Sequence, residues 1–329
     1  MNKNLRIAIL LAVIFLAAVV AALFAGNRSI SFGQIMSVLA GKGSDAQRII
    51  VYKVRIPRII AASAAGAALS VSGYLLQSSL NNKLASPGIL GINNGAGMFV
   101  LFYACLFPYR YGGKCIAAFA GAILVTMLIY LLTARGGISR TSVILSGVAV
   151  SALCLSVIDM IIFLKPETVA DRAAFQLGGF AALNISSVYM AVPVIVVCLA
   201  IAVLMAPALD LMALGDEVAF GLGLDVRTYR ILSIVCAAVL SGAAVSMCGI
   251  IGFLGLIVPN VVRLFSGEKS RPAIAYCIAA GAAFLLAGDT LGKVLAFPYE
   301  LPCGLFLSLI GAPFLLWMLL KNKKRLGLN

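Results

Sequence analysis

The sequence predicts an all-α, polytopic membrane protein with about ten transmembrane helices. Of its 329 residues, 63% are hydrophobic and only 11% are charged, and the mean hydropathy is +1.11. A soluble globule of this length needs more polar surface than this composition supplies, so a soluble domain is excluded. The second observation is that apolar stretches close to the ~20 residues needed to cross a bilayer recur along the whole chain.

Ten apolar segments are candidate membrane-spanning helices. The first follows Lys3 and Arg6, but it is longer than the apolar part of a signal peptide and lacks a small-residue cleavage site, so we interpret it as a helix. In chain order the segments cover residues 7–25, 59–79, 87–107, 115–132, 141–163, 186–206, 231–249, 251–265, 272–292 and 303–320.

Two of these segments, 87–107 and 251–265, contain residues that interrupt a regular helix. Irregular backbone at membrane depth is tolerated only against protein or a water-filled cavity, so both segments are expected to face the interior. The interrupting residues include Pro87, Gly88, Gly91, Asn93, Asn94, Gly95 and Gly97 in the first segment and Gly252, Gly255 and Pro259 in the second.

Each interrupted segment follows a span rich in Ala, Gly and Ser and precedes two regular spans. This order predicts two repeat-like halves, about 59–163 and 231–320, that run in opposite orientations as in inverted-repeat transporters. In such transporters the paired broken helices lie at the translocation path.

The formal net charge of +14 does not indicate nucleic-acid binding, because the basic residues are spread over the loops without interleaved aromatic residues. The distribution of the basic residues among the loops instead predicts how the chain is oriented in the membrane. If both termini are inside, the inner loops hold slightly more basic residues than the outer loops, and the acid-free stretch 321–325 decides the difference. We therefore expect both termini to be cytoplasmic.

The chain lacks the residue patterns of an enzyme. It has no histidine, no cysteine pair at metal-binding spacing and no paired carboxylates within a span, so metal and acid–base catalysis have no obvious residues. Residues 288–294 end like a phosphate-binding loop, but the spacing is wrong and Val294 replaces the Ser or Thr that would hold magnesium. We expect no catalytic residue, no metal and no cofactor of its own. Asp289 can pair with Lys293 one helical turn later.

The longest polar interruption in the second half is the stretch from Pro207 to Arg230, which carries four of the eleven acidic residues. Pro207 suits the first turn of a helix, and Gly215 is placed to end it. A second short helix can then begin with acidic residues in its first turn, where the helix dipole favours anions. We expect two short helices, at about 207–227, that form a compact projection at the membrane surface. An ordinary amphipathic connector is the alternative interpretation.

Several motifs resemble the permease subunits of bacterial ABC importers for iron-siderophores, haem and vitamin B12. They occur in the same order and extend from about residue 50 to 320. The matching stretches are 55–58 (RIPR), 66–73 (GAALSVSG), 84–91 (LASPGILG), 214–217 (LGDE), 249–259 (GIIGFLGLIVP), Asp289, 300–302 (ELP) and 311–313 (GAP).

The resemblance implies a single permease domain over residues 1–329, in the bacterial cytoplasmic membrane. In that family two permeases, identical or paralogous, surround a central translocation path. Two cytoplasmic ATPases bind ATP and magnesium, and an extracellular binding protein delivers the cargo; nucleic acid is not a partner. The implied cargo is an iron chelate, with a siderophore first and haem or cobalamin as alternatives.

The resemblance also implies roles for particular residues. The short helices would couple to the ATPase through Leu214, Gly215, Asp216, Glu217 and Val218. The binding protein would dock on Arg55, Arg58 and Lys293. The translocation path or its gate would include Pro87, Gly91, Asn93, Asn94, Ser139, Arg140, Thr141 and Ser142.

Two positions depart from the family pattern: Asn260 stands where the family often has His, and Lys83 replaces a usual Pro. Asn can form hydrogen bonds but does not titrate, so a protonation role at position 260 is not expected.

Two rival functions follow from the same residues. An ion-coupled secondary carrier could use the broken helices, but the spans hold few of the ionisable groups that such carriers bury. A permease for bare zinc or manganese ions usually uses histidines, and this chain has none.

Overall fold

The computed structural model describes residues 3–24, 32–107, 113–134, 140–166, 176–267, 269–295 and 299–321. Within these residues the chain is helical and contains no strand, as the sequence predicts. A π-helical stretch, Ile49–Arg55, separates α3 from α4. The helices are α1 (Lys3–Phe24), α2 (Phe32–Leu39), α3 (Asp45–Arg48), α4 (Ile56–Ser79), α5 (Ile92–Leu106), α6 (Lys114–Ala134), α7 (Arg140–Leu164), α8 (Ile185–Leu204), α9 (Ala206–Met212), α10 (Asp216–Gly221), α11 (Val226–Cys248), α12 (Leu254–Ser266), α13 (Ser270–Leu295) and α14 (Cys303–Lys321).

Seven helical stretches among the described residues are long and apolar enough to cross a membrane. They belong to α1, the continuous stretch that ends with α4, α6, α7, α8, α11 and α13. Helices α5, α12 and α14 are apolar but shorter. The sequence-based expectation of about ten crossings and of an inverted repeat therefore stays a prediction for these three helices and for the symmetry.

The segment before α4 is more ordered than the sequence indicated. Helices α2 and α3 and the π-helical stretch lead directly into α4, and Ser44 caps α3 in a reciprocal arrangement with Gln47. Sequence reasoning missed them because each apolar run there is too short to resemble a span. The short local caps carry the only sequence signal for α3.

The first interrupted segment begins as turns and not as helix. The expected helix over 87–107 starts only at Ile92, after Gly91 adopts a left-handed conformation with φ of 72°. Glycine adopts this conformation without the steric cost that a side chain would add. Both interrupted segments lie largely in the interior, which confirms the expectation drawn from their irregular backbone.

Helix α4 lies at the centre of the fold and is buried over most of its length. Its small residues face α11, α12 and α13, and they allow these helices to approach closely. A Cβ atom at Gly66 would overlap the Gly281 carbonyl of α13, and one at Gly73 would overlap the Gly255 carbonyl of α12. The backbones of the helices therefore pack directly against each other at these contacts, with no side chain between them that could move aside.

Gly73→Ala is expected to destabilise the protein by about 1–3 kcal/mol, because the added methyl group must push two backbones apart. Gly288→Ala is the matched control, since that α13 glycine has no atom within 4 Å of a Cβ position. Alanine there should be neutral, or stabilising by up to about 1 kcal/mol. Thermal unfolding of both variants in the same detergent is the measurement. Equal melting temperatures would contradict the close packing described here.

Candidate coupling and docking sites

Two polar clusters lie at opposite ends of α4. One surrounds Arg58 near the start of the helix, and the other reaches Ser79 at its end. At a rise of about 1.5 Å per residue, these positions are about 30 Å apart along the helix, the thickness of a bilayer core. The two clusters are therefore suited to opposite surfaces of a membrane.

The cluster at the Ser79 end of α4 includes the projection formed by residues 206–225, which we call the knob. It consists of α9 and α10 joined by Gly215, which has a φ of 107°. Pro207 lies in the first turn of α9, and Asp216 and Glu217 lie in the first turn of α10, as predicted. Both helices are short, because the left-handed glycine ends one and begins the other.

Side-chain hydrogen bonds attach the knob to α13 and α11, and Arg230 of α11 also links it to the end of α4. The Asp210 carboxylate accepts a hydrogen bond from the backbone N–H of Ser270, the first residue of α13, at 2.6 Å. One terminal nitrogen of Arg230 in α11 donates to both carboxylate oxygens of Asp216, at 2.7 and 2.8 Å. The Nε of the same arginine donates to the Ser79 carbonyl at the end of α4, at 3.0 Å. Displacement of the knob must therefore strain the ends of α4, α11 and α13.

The remaining acids of the knob have different environments. Asp225 caps α11 and accepts from the backbone N–H and the hydroxyl of Thr228, at 3.3 and 2.5 Å. The hydroxyl lowers the pKa of the Asp225 carboxyl, so the cap stays ionised at neutral pH. Glu217 is exposed, and no ion pair or hydrogen bond joins its side chain to the described residues. It is the acid of the knob that is available to a partner.

The outer surface of the knob is apolar. Ala219 of α10 is fully buried, whereas Val218 beside it is exposed. The sequence did not predict the exposure of Phe220, because an aromatic residue on so short a helix can face either the bundle or solvent. The exposed apolar side chains are Leu214, Val218, Phe220 and Leu222.

The cluster at the Arg58 end of α4 is a network of four charged side chains. The Nε and a terminal nitrogen of Arg58 donate to the two oxygens of Asp289, at 3.0 and 2.9 Å, and the other terminal nitrogen donates to Glu300 at 2.8 Å. Lys293 contacts Asp289 at 2.8 Å, which confirms the pairing predicted from their spacing. The Asp289 side chain is only 3% exposed, whereas that of Glu300 is 28% exposed. The network links α4, α13 and the segment before α14.

The residues predicted to dock the binding protein have separate places. Arg58 and Lys293 meet through Asp289, but Arg55 lies apart and donates to the carbonyl of Leu23 near the end of α1. Arg55 is 7% exposed and is therefore not a surface cation in the single chain. The docking role of all three residues stays a prediction, and the structure adds Glu300 as their most exposed neighbour.

The residues predicted at the translocation path form hydrogen bonds inside the chain. The Asn93 amide donates to the Ile251 carbonyl at 2.8 Å and accepts from the Ser241 hydroxyl, so it joins the two interrupted segments directly. The Asn94 amide donates to the Ser151 hydroxyl of α7 at 2.6 Å. Buried polar groups of this kind hold irregular backbone in place.

Of the other residues predicted at the path or gate, two pack closely against neighbouring backbone. The rest lie outside the described residues or have no described side chain. Gly91 packs on the backbone of Ser151, and Pro87 is buried beside Gly255 of α12. Ser139 lies outside the described residues. Residues 140–142 form the first turn of α7, for which only the backbone is described. Their roles at the path stay predictions.

A known family matches almost the whole of this chain. The profile of the FecCD transport family covers residues 11–321. The chain belongs to the FecCD transport family. It is accordingly a multi-pass membrane protein of a transport family, in agreement with its apolar helices.

Several relatives of this FecCD protein are similar over nearly their full length. It is 33% identical to the Fe(3+)-citrate import system permease protein YfmE of Bacillus subtilis, over 97% of this chain and 96% of that protein. It is 31% identical to the hemin transport system permease protein HmuU of Yersinia pestis, over 99% of both chains. It is 32% identical to the vitamin B12 import system permease protein BtuC of Citrobacter koseri, over 98% and 96%.

Solved structures agree with this assignment. The FecCD protein superposes with a TM-score of 0.83 and 25% identity on an inward-facing putative metal-chelate type ABC transporter, covering 96% of this chain and 99% of the other. A second likeness, to PsaBC of Streptococcus pneumoniae, has a TM-score of 0.58 and 16% identity over 87% of this chain and 95% of the other. The second likeness bears on the fold alone.

The two departures from the family pattern are neighbours in this FecCD protein. The Asn260 amide nitrogen donates to the Lys83 carbonyl at 2.9 Å and to the Leu256 carbonyl at 2.8 Å. Asn260 is buried, so these bonds connect α12 to the turns that precede α5. An amide nitrogen with two hydrogens can serve both carbonyls and needs no protonation.

Asp289→Asn is expected to destabilise the protein by about 3 kcal/mol, because two largely buried cations then lose their shared carboxylate. This expected loss of stability is at the low end of the range for breaking a buried ion pair, because Glu300 still contacts Arg58 in the variant. Asp159→Asn is the control, because that exposed carboxylate accepts a hydrogen bond from Gln176 at 2.7 Å and forms no ion pair with the described residues. Melting temperatures in one detergent test this prediction. A shift no larger than that of the control would show that the network adds nothing to stability.

Asn260→Asp is expected to cost about 1–3 kcal/mol at neutral pH, because a carboxylate cannot donate to the two carbonyls that face it. Stability should partly recover on acidification, since the protonated acid can donate one hydrogen bond. Asn82→Asp is the control, because the Asn82 oxygen accepts from the Leu84 N–H and an aspartate keeps that bond. Thermal unfolding over a range of pH is the measurement, and a pH-independent loss at position 260 would contradict this explanation.

Proposed function

We propose that this chain is the permease subunit of an ABC importer that carries an iron chelate across the bacterial cytoplasmic membrane. The observation that carries the proposal is the knob, which offers an exposed apolar surface, is bonded to α11 and α13, and is linked to α4 through Arg230. A soluble ATPase can bind that surface. Its movements then reach the bundle through the Asp210 and Asp216 bonds.

The knob is suited to transmit force because its attachments involve charged groups. Hydrogen bonds between a guanidinium and a carboxylate are shorter and stronger than neutral ones. Arg230 joins the knob to α4 as well as to α11, and α4 continues to the network around Arg58. An ATPase on the knob and a binding protein near Arg58 would thus act on the same central helix from its two ends.

The cargo class is supported by what the relatives carry. Their names specify ferric citrate, hemin, ferric hydroxamate and vitamin B12, which are all metal complexes of an organic ligand. We infer that this chain also carries such a complex, with a ferric siderophore as the first candidate and haem or cobalamin as alternatives. ATP and magnesium belong to two partner ATPases, and the path forms between this permease and a second one.

The alternative is an ion-coupled secondary carrier of the same cargo. Among the described residues of the spans, the buried acid is Asp289, which Arg58 and Lys293 bind, whereas Asp159 of α7 is exposed and bonds to Gln176. Neither is a buried, unpaired acid for a coupling ion. This arrangement favours the ATP-driven importer. Loss of transport after the ion gradient is dissipated, with ATP held constant, would favour the carrier.

Glu217→Lys combined with Phe220→Ser is expected to weaken binding of the cognate ATPase by about 30-fold, the effect of losing one hot-spot contact. These side chains are exposed, so the permease should keep its melting temperature. Lys53→Gln, an exposed substitution near the opposite end of α4, is the control and should not change ATPase binding. Binding is measured with the reconstituted permease in lipid nanodiscs.

Asp216→Asn separates attachment from binding. Because Asp216 bonds to Arg230 inside the chain, this variant should still bind the ATPase but lose most of the stimulation of ATP hydrolysis by cargo-loaded binding protein. The exchange Asp216→Arg with Arg230→Asp should restore part of the stimulation. Full ATPase binding and stimulation in both the surface and the attachment variants would overturn the proposed role of the knob.

A further inference from the structure

An open groove lies between α6 and α11, next to the cluster at the Ser79 end of α4. It contains about 600 Å³ of space, including the part open to the surface. A second hollow of about 560 Å³ continues it along the same two helices. Both helices are long and apolar enough to cross the membrane, so a groove along them runs at the depth of the lipid tails. The side chains shared by the two hollows are Thr126, Tyr130, Ile231 and Ile234.

The wall of the groove is apolar even where its sequence is polar. The Thr126 hydroxyl donates to the Ala122 carbonyl of its own helix at 2.7 Å, so its methyl group is left to line the space. Met127 and Val235 add exposed apolar surface along the continuation. A hydrocarbon chain can pack against such an apolar wall, whereas a polar ligand would lose its hydrogen bonds to water there without replacing them.

The groove ends at a basic site on the side of the knob. Arg227 is exposed and donates to the Tyr130 hydroxyl at 3.4 Å. Arg230 also lines the groove, but its charge is neutralised by Asp216. Within the part of the chain that the structure describes, no carboxylate forms a salt bridge with Arg227. The nearby Asp225 carboxylate attracts this charge, but its oxygens accept hydrogen bonds from Thr228. An exposed guanidinium without a salt bridge and a tyrosine therefore lie where an apolar groove meets the membrane surface.

We propose that this groove binds one anionic phospholipid, with its phosphate on Arg227 and Tyr130 and an acyl chain along α6 and α11. A guanidinium matches a phosphate with two parallel hydrogen bonds, and membrane-surface arginines attract anionic lipids. The charge favours this occupant over a second protein copy, because a symmetric partner would bring another arginine into the same end of the groove.

The test measures lipid retention by the full-length permease with native mass spectrometry. Phosphatidylglycerol and phosphatidylcholine with the same acyl chains are the probes, added to delipidated protein in detergent. The wild type should retain one phosphatidylglycerol in preference to phosphatidylcholine. Arg227→Gln should lower that preference by about fivefold, the factor expected for one basic residue near a lipid headgroup. Arg271→Gln, an exposed arginine at the start of α13, is the matched control and should not change it.

The groove itself is tested with side chains that fill it. Ile234→Trp and, independently, Met127→Trp should abolish retention of both lipids while the melting temperature in lipid-free detergent is preserved. Retention that is unchanged in Arg227→Gln, or reduced equally by Arg271→Gln, would overturn the proposal. So would a change from dimer to monomer in the tryptophan variants without loss of lipid, because a second copy would then occupy the groove. None of these outcomes depends on transport activity.

Discussion

The close approach of α4 to its neighbours is the constraint on which the other features depend. At Gly66 and Gly73 the helix meets the backbone of α13 and α12 directly. Such contacts fix the distance between helices more firmly than flexible side chains do, because backbone atoms cannot move aside. The ends of α4 are thereby held in register with α13, which carries the Asp289 partner of Arg58, and with α11, which carries Arg230.

That register explains why the two clusters can be small. Arg58 contacts both oxygens of Asp289, and Arg230 contacts both the knob and the end of α4. A buried ionic network is stable only when its geometry is good, since the cost of removing charges from water must be offset by contacts. The rigid packing of α4 holds the buried network around Arg58 in a good geometry. The ion pair between Arg230 and Asp216 is more exposed, so its charges lose less hydration and its geometry matters less.

The interrupted helices show how irregular backbone is accommodated. Asn93 serves the Ile251 carbonyl, and Asn260 serves the Lys83 carbonyl, so each interrupted segment stabilises the turns that precede the other. The composition of the two segments predicted that they lie inside the protein. The exchange of hydrogen bonds between them could not be predicted, because it depends on the way α4 brings them together.

The sequence by itself determined the helical membrane fold, the two short helices of the knob and the pairing of Asp289 with Lys293. These features depend on composition, on capping residues and on spacing within one helix, and all of them are local. Only the tertiary structure decided that Arg58 bonds to Asp289, 231 residues away, that Arg230 holds Asp216, and that Phe220 faces outward while Ala219 does not. The physical reason is that contacts between distant residues follow from helix packing, which local patterns restrict but do not specify.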